Sequence, residues 1–102
     1  MAPDPLQFKI PKRAANVVDF LALRRRAREA GLRGDSIEAN ERHAGPANVR
    51  ITCRPPMGLL LIEHLQRIAA LAEQKHDFDL LIAAAGAIKG AFDALDRVRP
   101  KD

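Results

Sequence analysis

The chain has 102 residues, 17 Lys and Arg against 13 Asp and Glu, and neither Trp nor Tyr. That length suits one domain, and 47% hydrophobic with 29% charged residues is the balance of a globular chain, not a disordered or fibrous one. Nucleophilic side chains are scarce, with one Ser (Ser36), one Thr (Thr52) and one Cys (Cys53), and four Phe leave a core built mainly from aliphatic residues and Ala.

Charge is uneven along the chain. Residues 1–34 carry eight bases and three acids, whereas residues 35–102 carry nine and ten. A basic first third points to an anionic partner. The longest apolar run, Leu80 to Ile88, is nine residues, against the roughly 20 of a membrane span, so no membrane partner is expected. The opening MAPDPLQFKIPKR has no apolar core of the secretory type. A single Cys has no intrachain disulfide partner, and the expected location is cytoplasmic.

Leu6, Phe8 and Ile10 alternate with Gln7 and Lys9, the two-residue period of a half-buried strand. Pro5 and Pro11 bracket it and place it at a sheet edge. A helix is expected from Val17 to Ala30, with Asn16 as cap and Asp19 in its first turn. Gly31 followed by Leu32 reads as a left-handed glycine stop with a trailing apolar contact. Residues 35–48 read as a flexible connector, in which Asp35 and Glu38 stand at capping-box spacing and predict a two-turn helix from Ser36 to His43. In the next segment Val49, Ile51 and Cys53 face one way and Arg50, Thr52 and Arg54 the other, until Pro55-Pro56 ends the strand. The two strands have each other, or a second chain, to pair with.

From Met57 to Gln74 the apolar residues Leu61, Leu65, Ile68 and Ala72 recur at helical spacing. Continuing that stripe through Lys75 and Asp79 would bury charge, so a break is predicted at Gln74–Asp77 and a second helix, capped by Asp77, from Phe78 to Val98. Phe78, Leu81, Ala85, Ile88, Phe92 and Leu95 form its main stripe. Beside it Ala83, Ala87, Gly90 and Ala94 form a strip of small residues that admits another backbone at close range. The expected fold is therefore mainly α: a single three-helix domain over residues 1–102, with a C-terminal antiparallel helical hairpin and one or two short β-strands.

The motifs favour a non-enzymatic role with no cofactor. Ser36 reads as a helix cap and Cys53 as a small inward hydrophobe. His43, His64 and His76 are scattered, and Glu63-His64 lacks the second His of a zinc-peptidase helix. Glu38, Glu41 and His43 sit together in a polar loop and read as solvated, so no metal site is expected. The strongest lead is basic: Arg24, Arg25, Arg26, Arg28 and Arg33, with Lys9, Lys12 and Arg13 ahead of them. Arg holds phosphate bidentately, and without Tyr or Trp the expected contact is with duplex phosphates, not stacked bases. The competing reading is a solvated face, or one paired with the acids of residues 35–41.

Residues 49–98, VRITCRPP followed by two helices, resemble the ribbon-helix-helix family of dimeric DNA-binding regulators. The resemblance implies a ribbon of one strand from each chain, with Arg50, Thr52 and Arg54 directed at the major groove. The first of the two helices is longer than that family's, and the turn QKHD lacks its usual small or polar run. Self-association is expected through Leu61, Leu65, Ile68, Ala83, Ala87, Gly90 and Ala94. Together these describe a small regulatory protein that holds nucleic-acid phosphates through its Arg-rich helix, Lys12, Arg13, Arg50 and Arg54, and forms a homo-oligomer. The alternative is an adaptor, chaperone or anti-activator that binds an acidic protein partner through the same Arg face.

Overall fold

The alternation of Leu6, Phe8 and Ile10 with polar residues is satisfied by a sheet that buries one face only. In the computed structural model, which describes residues 4–32 and 36–98, β1 (Leu6–Pro11) pairs antiparallel with β3 (Asn48–Cys53), and β3 pairs antiparallel with β2 (Ile37–Asn40). Arg33 of the predicted basic surface and Asp35 of the predicted capping box lie outside the described residues. Leu6 stands opposite Cys53, Phe8 opposite Ile51 and Ile10 opposite Val49, and all six are buried.

The two expected strands thus pair within one chain. A third strand replaces the helix predicted over Ser36–His43. Ile37, the one large apolar residue in that stretch, is 1% exposed opposite Cys53. Pairing with β3 buries it in the core, which a two-turn helix with a single apolar residue would not do, and tertiary packing overrides the local capping signal.

Helices cover the inner face of the sheet. The helix expected over Val17–Ala30 is α2 (Phe20–Glu29), and an unexpected short helix, α1 (Lys12–Ala15), precedes it. Asp19, not Asn16, caps α2, accepting from the Ala22 N–H at 3.0 Å. Its other end is as the sequence indicates. Gly31 has φ +77°, the Gly31 N–H donates to the Arg28 carbonyl and the Leu32 N–H to the Ala27 carbonyl, the paired bonds of a Schellman stop. α3 (Pro55–Gln74) begins two residues earlier than predicted, with Pro55 and Pro56 in its first turn, where a missing N–H costs no bond. His76, at φ 57°, makes the same kind of stop after α3. Asp77 then accepts from the Leu80 N–H and caps α4 (Phe78–Val98).

The described residues are mixed α/β, rich in helix, with four helices and a three-stranded antiparallel sheet. α3 packs along α4, and α4 lies against β1. Ala83, Ala84, Ala87, Ala91 and Ala94 are the buried residues of α4, whereas Phe78, Ile82 and Phe92 are 58%, 70% and 46% exposed. The stripe predicted to face inward, which also included Ala85, is therefore turned outward at three of its members, and the small strip faces the core. The reason is at Gly90, where an added Cβ would stand 3.1 Å from the Lys9 carbonyl. The close approach is to the backbone of β1, and bulky side chains on that face would forbid it.

Candidate nucleic-acid interface

With helices on one side of the sheet, its other side presents Gln7 and Lys9 from β1, Arg50 and Thr52 from β3, and Glu38 and Asn40 from β2, all exposed or half-buried. Lys9 lies directly opposite Arg50, and Arg50 opposite Asn40. The Gln7 carbonyl accepts from Arg97 Nη2 at 3.1 Å, so Gln7 and Lys9 turn their backbone polar groups away from β3 and toward α4. Lys9 and Arg50 are then a non-hydrogen-bonded pair, the geometry in which cross-strand Cα atoms approach to about 4.5 Å. Like charges so placed destabilise a sheet. Neither has a carboxylate partner among the described residues, and Glu38, opposite Thr52, is the sole acid among the six residues named.

A recess of about 420 Å³ opens between this face and α4, lined by Gln7, Phe8, Lys9, Arg50, Gly90, Asp93 and Arg97. Three cations meet one carboxylate there. Asp93 is already engaged by Lys89 at 3.1 Å, and the backbone bond from Arg97 fixes one end of its guanidinium at the rim. The recess thus combines an excess of positive charge, a concave wall and the side-chain amide of Gln7.

The Arg-rich helix is arranged differently from the sequence expectation. Arg24 Nη2 donates to the Ile37 carbonyl at 3.2 Å, on the free edge of β2. Arg26 pairs with Glu63 at 2.9 Å, and Glu63 also receives Arg67 at 3.1 Å. One Arg26 nitrogen, Nη1, is buried without a hydrogen-bond partner. Arg13 pairs with Asp77 at 2.6 Å and Lys12 with Glu41 at 3.0 Å. Arg25 and Arg28 remain exposed, with no ion-pair partner among the described residues. Arg54 is exposed at the start of α3. Of the predicted phosphate contacts, the structure thus commits Arg13, Arg24, Arg26 and Lys12 to partners within the chain, and Arg50 joins Lys9 and Arg97 at a recess that sequence reasoning did not assemble. Arg97 was separable from the other bases only through the α4–β1 contact, which has no local signature.

β3 has β1 on one edge and β2 on the other, so it has no free edge for the two-chain ribbon that the ribbon-helix-helix resemblance implies. Leu61, Leu65, Ile68, Ala83, Ala87 and Ala94 are buried within the chain's own core, and Gly90 is half-buried against β1. The set read from sequence as an oligomer contact is already in use inside one chain. Among the described residues no cluster of three or more His, Cys, Asp or Glu side chains is placed to hold a metal ion, and no helix is long and apolar enough to cross a membrane. Cys53 is buried.

His64 links α3 to α2. Its Nε2 accepts from the Asp19 N–H at 3.2 Å. Burial holds its pKa below the usual 6.5, against an opposing pull from Asp19, while Arg67 and Arg26 push the same way as burial. Comparison with protein-family models, with curated proteins and with solved structures finds no match to this chain.

Proposed function

We propose that this chain is a non-enzymatic nucleic-acid-binding protein that holds backbone phosphates on the open face of its sheet, with Lys9 and Arg50 as the central contacts and Arg97 at the rim. Arg25 and Arg28 of α2 extend the same electrostatic attraction. The observation that carries this reading is the Lys9–Arg50 pair. Two cations face each other across adjacent strands with no carboxylate between them, and a bound phosphate would relieve the repulsion that the fold sustains without one. The open face holds no aromatic side chain, so contact through backbone charge, with little base preference, follows.

Fluorescence anisotropy with a duplex DNA and a duplex RNA at low salt tests it. The wild type binds, and the logarithm of its affinity falls linearly with the logarithm of salt concentration. Replacing Lys9 or Arg50 singly by Ala flattens that slope by about 1 each. If neither duplex binds at low salt, or if Lys9→Glu with Arg50→Glu binds as well as the wild type, the reading is wrong.

A second reading, a protein-binding adaptor, has one observation of its own. β2 is an edge strand whose Ala39 is exposed beside a groove lined by Phe20, Arg24, Ile37, Glu38 and Asn40. An extended acidic peptide adding itself to that edge would meet Arg24. Binding that is lost on Ala39→Pro and kept in Lys9→Glu/Arg50→Glu would favour it.

A further inference from the structure

We propose that the recess between the open sheet face and α4 receives the terminal phosphate of a nucleic-acid strand, so that the chain prefers phosphorylated ends to internal phosphodiesters. The inference rests on the nucleic-acid reading of the same face and adds to it what the recess selects.

Two elements build the recess. Gly90, Asp93 and Arg97 follow one another at spacings of three and four residues, so they share one face of α4. Lys9 and Arg50 face each other across β1 and β3. All five line the same recess of about 420 Å³, a size within the range of about 300–1,000 Å³ that small-ligand sites have. The bond from Arg97 Nη2 to the Gln7 carbonyl, 3.1 Å, holds Arg97 beside β1 and uses one of the five donors of a guanidinium. At position 90 the Lys9 carbonyl leaves no room for a side chain. The close approach of α4 to β1 thus sets a cation from the end of the chain beside two cations of the sheet.

Charge selects the ligand. Lys9, Arg50 and Arg97 line the recess against one carboxylate, Asp93, which Lys89 already engages at 3.1 Å. An internal phosphodiester carries a single negative charge. A terminal phosphomonoester carries about −1.5 to −2 at neutral pH and presents three strong acceptor oxygens. Lys9 and Arg50 are enough for the first on the open sheet. The second has the charge and the oxygens to engage Arg97 as well, and charge-assisted bonds from Arg to phosphate are among the strong ones.

Shape selects in the same direction. An internal phosphate has nucleotides on both sides, and α4 walls the recess along one of them. A strand end has its chain on one side only and enters beside α4 to full depth. The same concave wall concentrates the field of the cations where the phosphate would sit.

Anisotropy at low salt with one duplex of fixed sequence, its ends carrying 5′-phosphates, 3′-phosphates or hydroxyls, reads the outcome. The better of the two phosphorylated duplexes binds about tenfold or more tightly than the hydroxyl-ended one, and its identity shows which end is held. Arg97→Gln brings that ratio close to one. Asp93→Asn, at an exposed position, removes the carboxylate of the recess and widens the ratio about two- to fivefold, a gain that misfolding would not produce. Equal affinity for phosphorylated and hydroxyl ends overturns this proposal and leaves backbone binding standing, whereas failure of every duplex to bind overturns both. A ratio unchanged in Arg97→Gln, or not widened in Asp93→Asn, also overturns it, because the end is then held elsewhere. So does a phosphoserine peptide that displaces the phosphorylated duplex as well as an unlabelled copy does, because the recess then reads a phosphomonoester on a protein.

Discussion

His64 illustrates how one residue ties stability to pH. Its Nε2 accepts a hydrogen bond from the Asp19 N–H and can do so only when that nitrogen is unprotonated. The folded chain holds the His64 pKa below 6.5, so on acidification the unfolded state takes up the proton first. Stability then rises with pH wherever the unfolded state binds more protons. The contribution is fully present above the unfolded value near 6.5 and is lost as pH falls from there through the depressed folded value. Urea unfolding at pH 7.5, 6.5, 5.5 and 5.0 would show a falling midpoint, and His64→Gln would flatten that part of the profile. A wild-type midpoint indifferent to pH over this window would contradict the assignment. Gly58 makes a second prediction at the same scale. A Cβ there would collide with the Leu6 side chain, which is 0% exposed. Gly58→Ala gains about 1 kcal/mol of helix propensity, but overpacking a closed core costs about 1–3 kcal/mol, and a net loss in chemical denaturation is expected.

At the scale of elements, what the sequence made legible depended on how local the deciding interaction was. The Gly31 stop, the Asp77 cap and the alternation of β1 and β3 are each decided within a few residues, and each is found in the structure. The region from Ser36 to His43 is decided by Ile37 meeting Cys53, a contact sixteen residues away in the chain, and a capping-box spacing carries no information about it. α4 misled for a different reason. Periodicity shows that a helix has two faces, yet both faces of α4 are apolar, and hydrophobicity alone ranks the bulky one inside. The choice was made by the edge of β1, where the Gln7 carbonyl accepts from Arg97 and the Lys9 carbonyl leaves no room for a side chain at position 90. This arrangement predicts a contrast between two variants of one helix. Ala87→Leu, at a position 0% exposed, forces a large side chain into the core, and costs of about 1–3 kcal/mol follow. Phe92→Ala, on the outer face, changes the stability of the monomer by no more than about 0.5 kcal/mol. Equilibrium denaturation at low micromolar concentration separates them, and the opposite ranking would mean that α4 packs by its bulky face.

For the molecule as a whole, the sheet divides the chain's chemistry. Helices and the aliphatic core occupy one side, and Lys9, Arg50, Gln7 and Thr52 occupy the other. The sequence showed an excess of bases in the first third but not this division, because Arg50 reaches the site from the middle of the chain and Arg97 from its far end. Two arginines nearer the start, Arg26 and Arg13, are drawn into ion pairs with Glu63 and Asp77 instead. Those pairs are exposed enough that each is worth little, whereas Lys9 and Arg50, like charges at facing cross-strand positions, oppose sheet formation. The stability of the whole chain should therefore respond to a polyanion through that pair. A ligand that binds only the folded state at 100 times its dissociation constant adds about 2.7 kcal/mol. In a domain of this length each kcal/mol raises the melting temperature by about 4–8 °C, so saturating duplex DNA at low salt should raise it by about 11–22 °C. Lys9→Gln with Arg50→Gln should remove most of that increase. Without DNA, the same variant should melt at or slightly above the wild-type temperature, since it relieves a repulsion of about 0.2–1 kcal/mol. Losing the DNA response while keeping or improving intrinsic stability is the signature of a binding pair. A variant that instead melts well below the wild type without DNA would assign Lys9 and Arg50 to holding the sheet together.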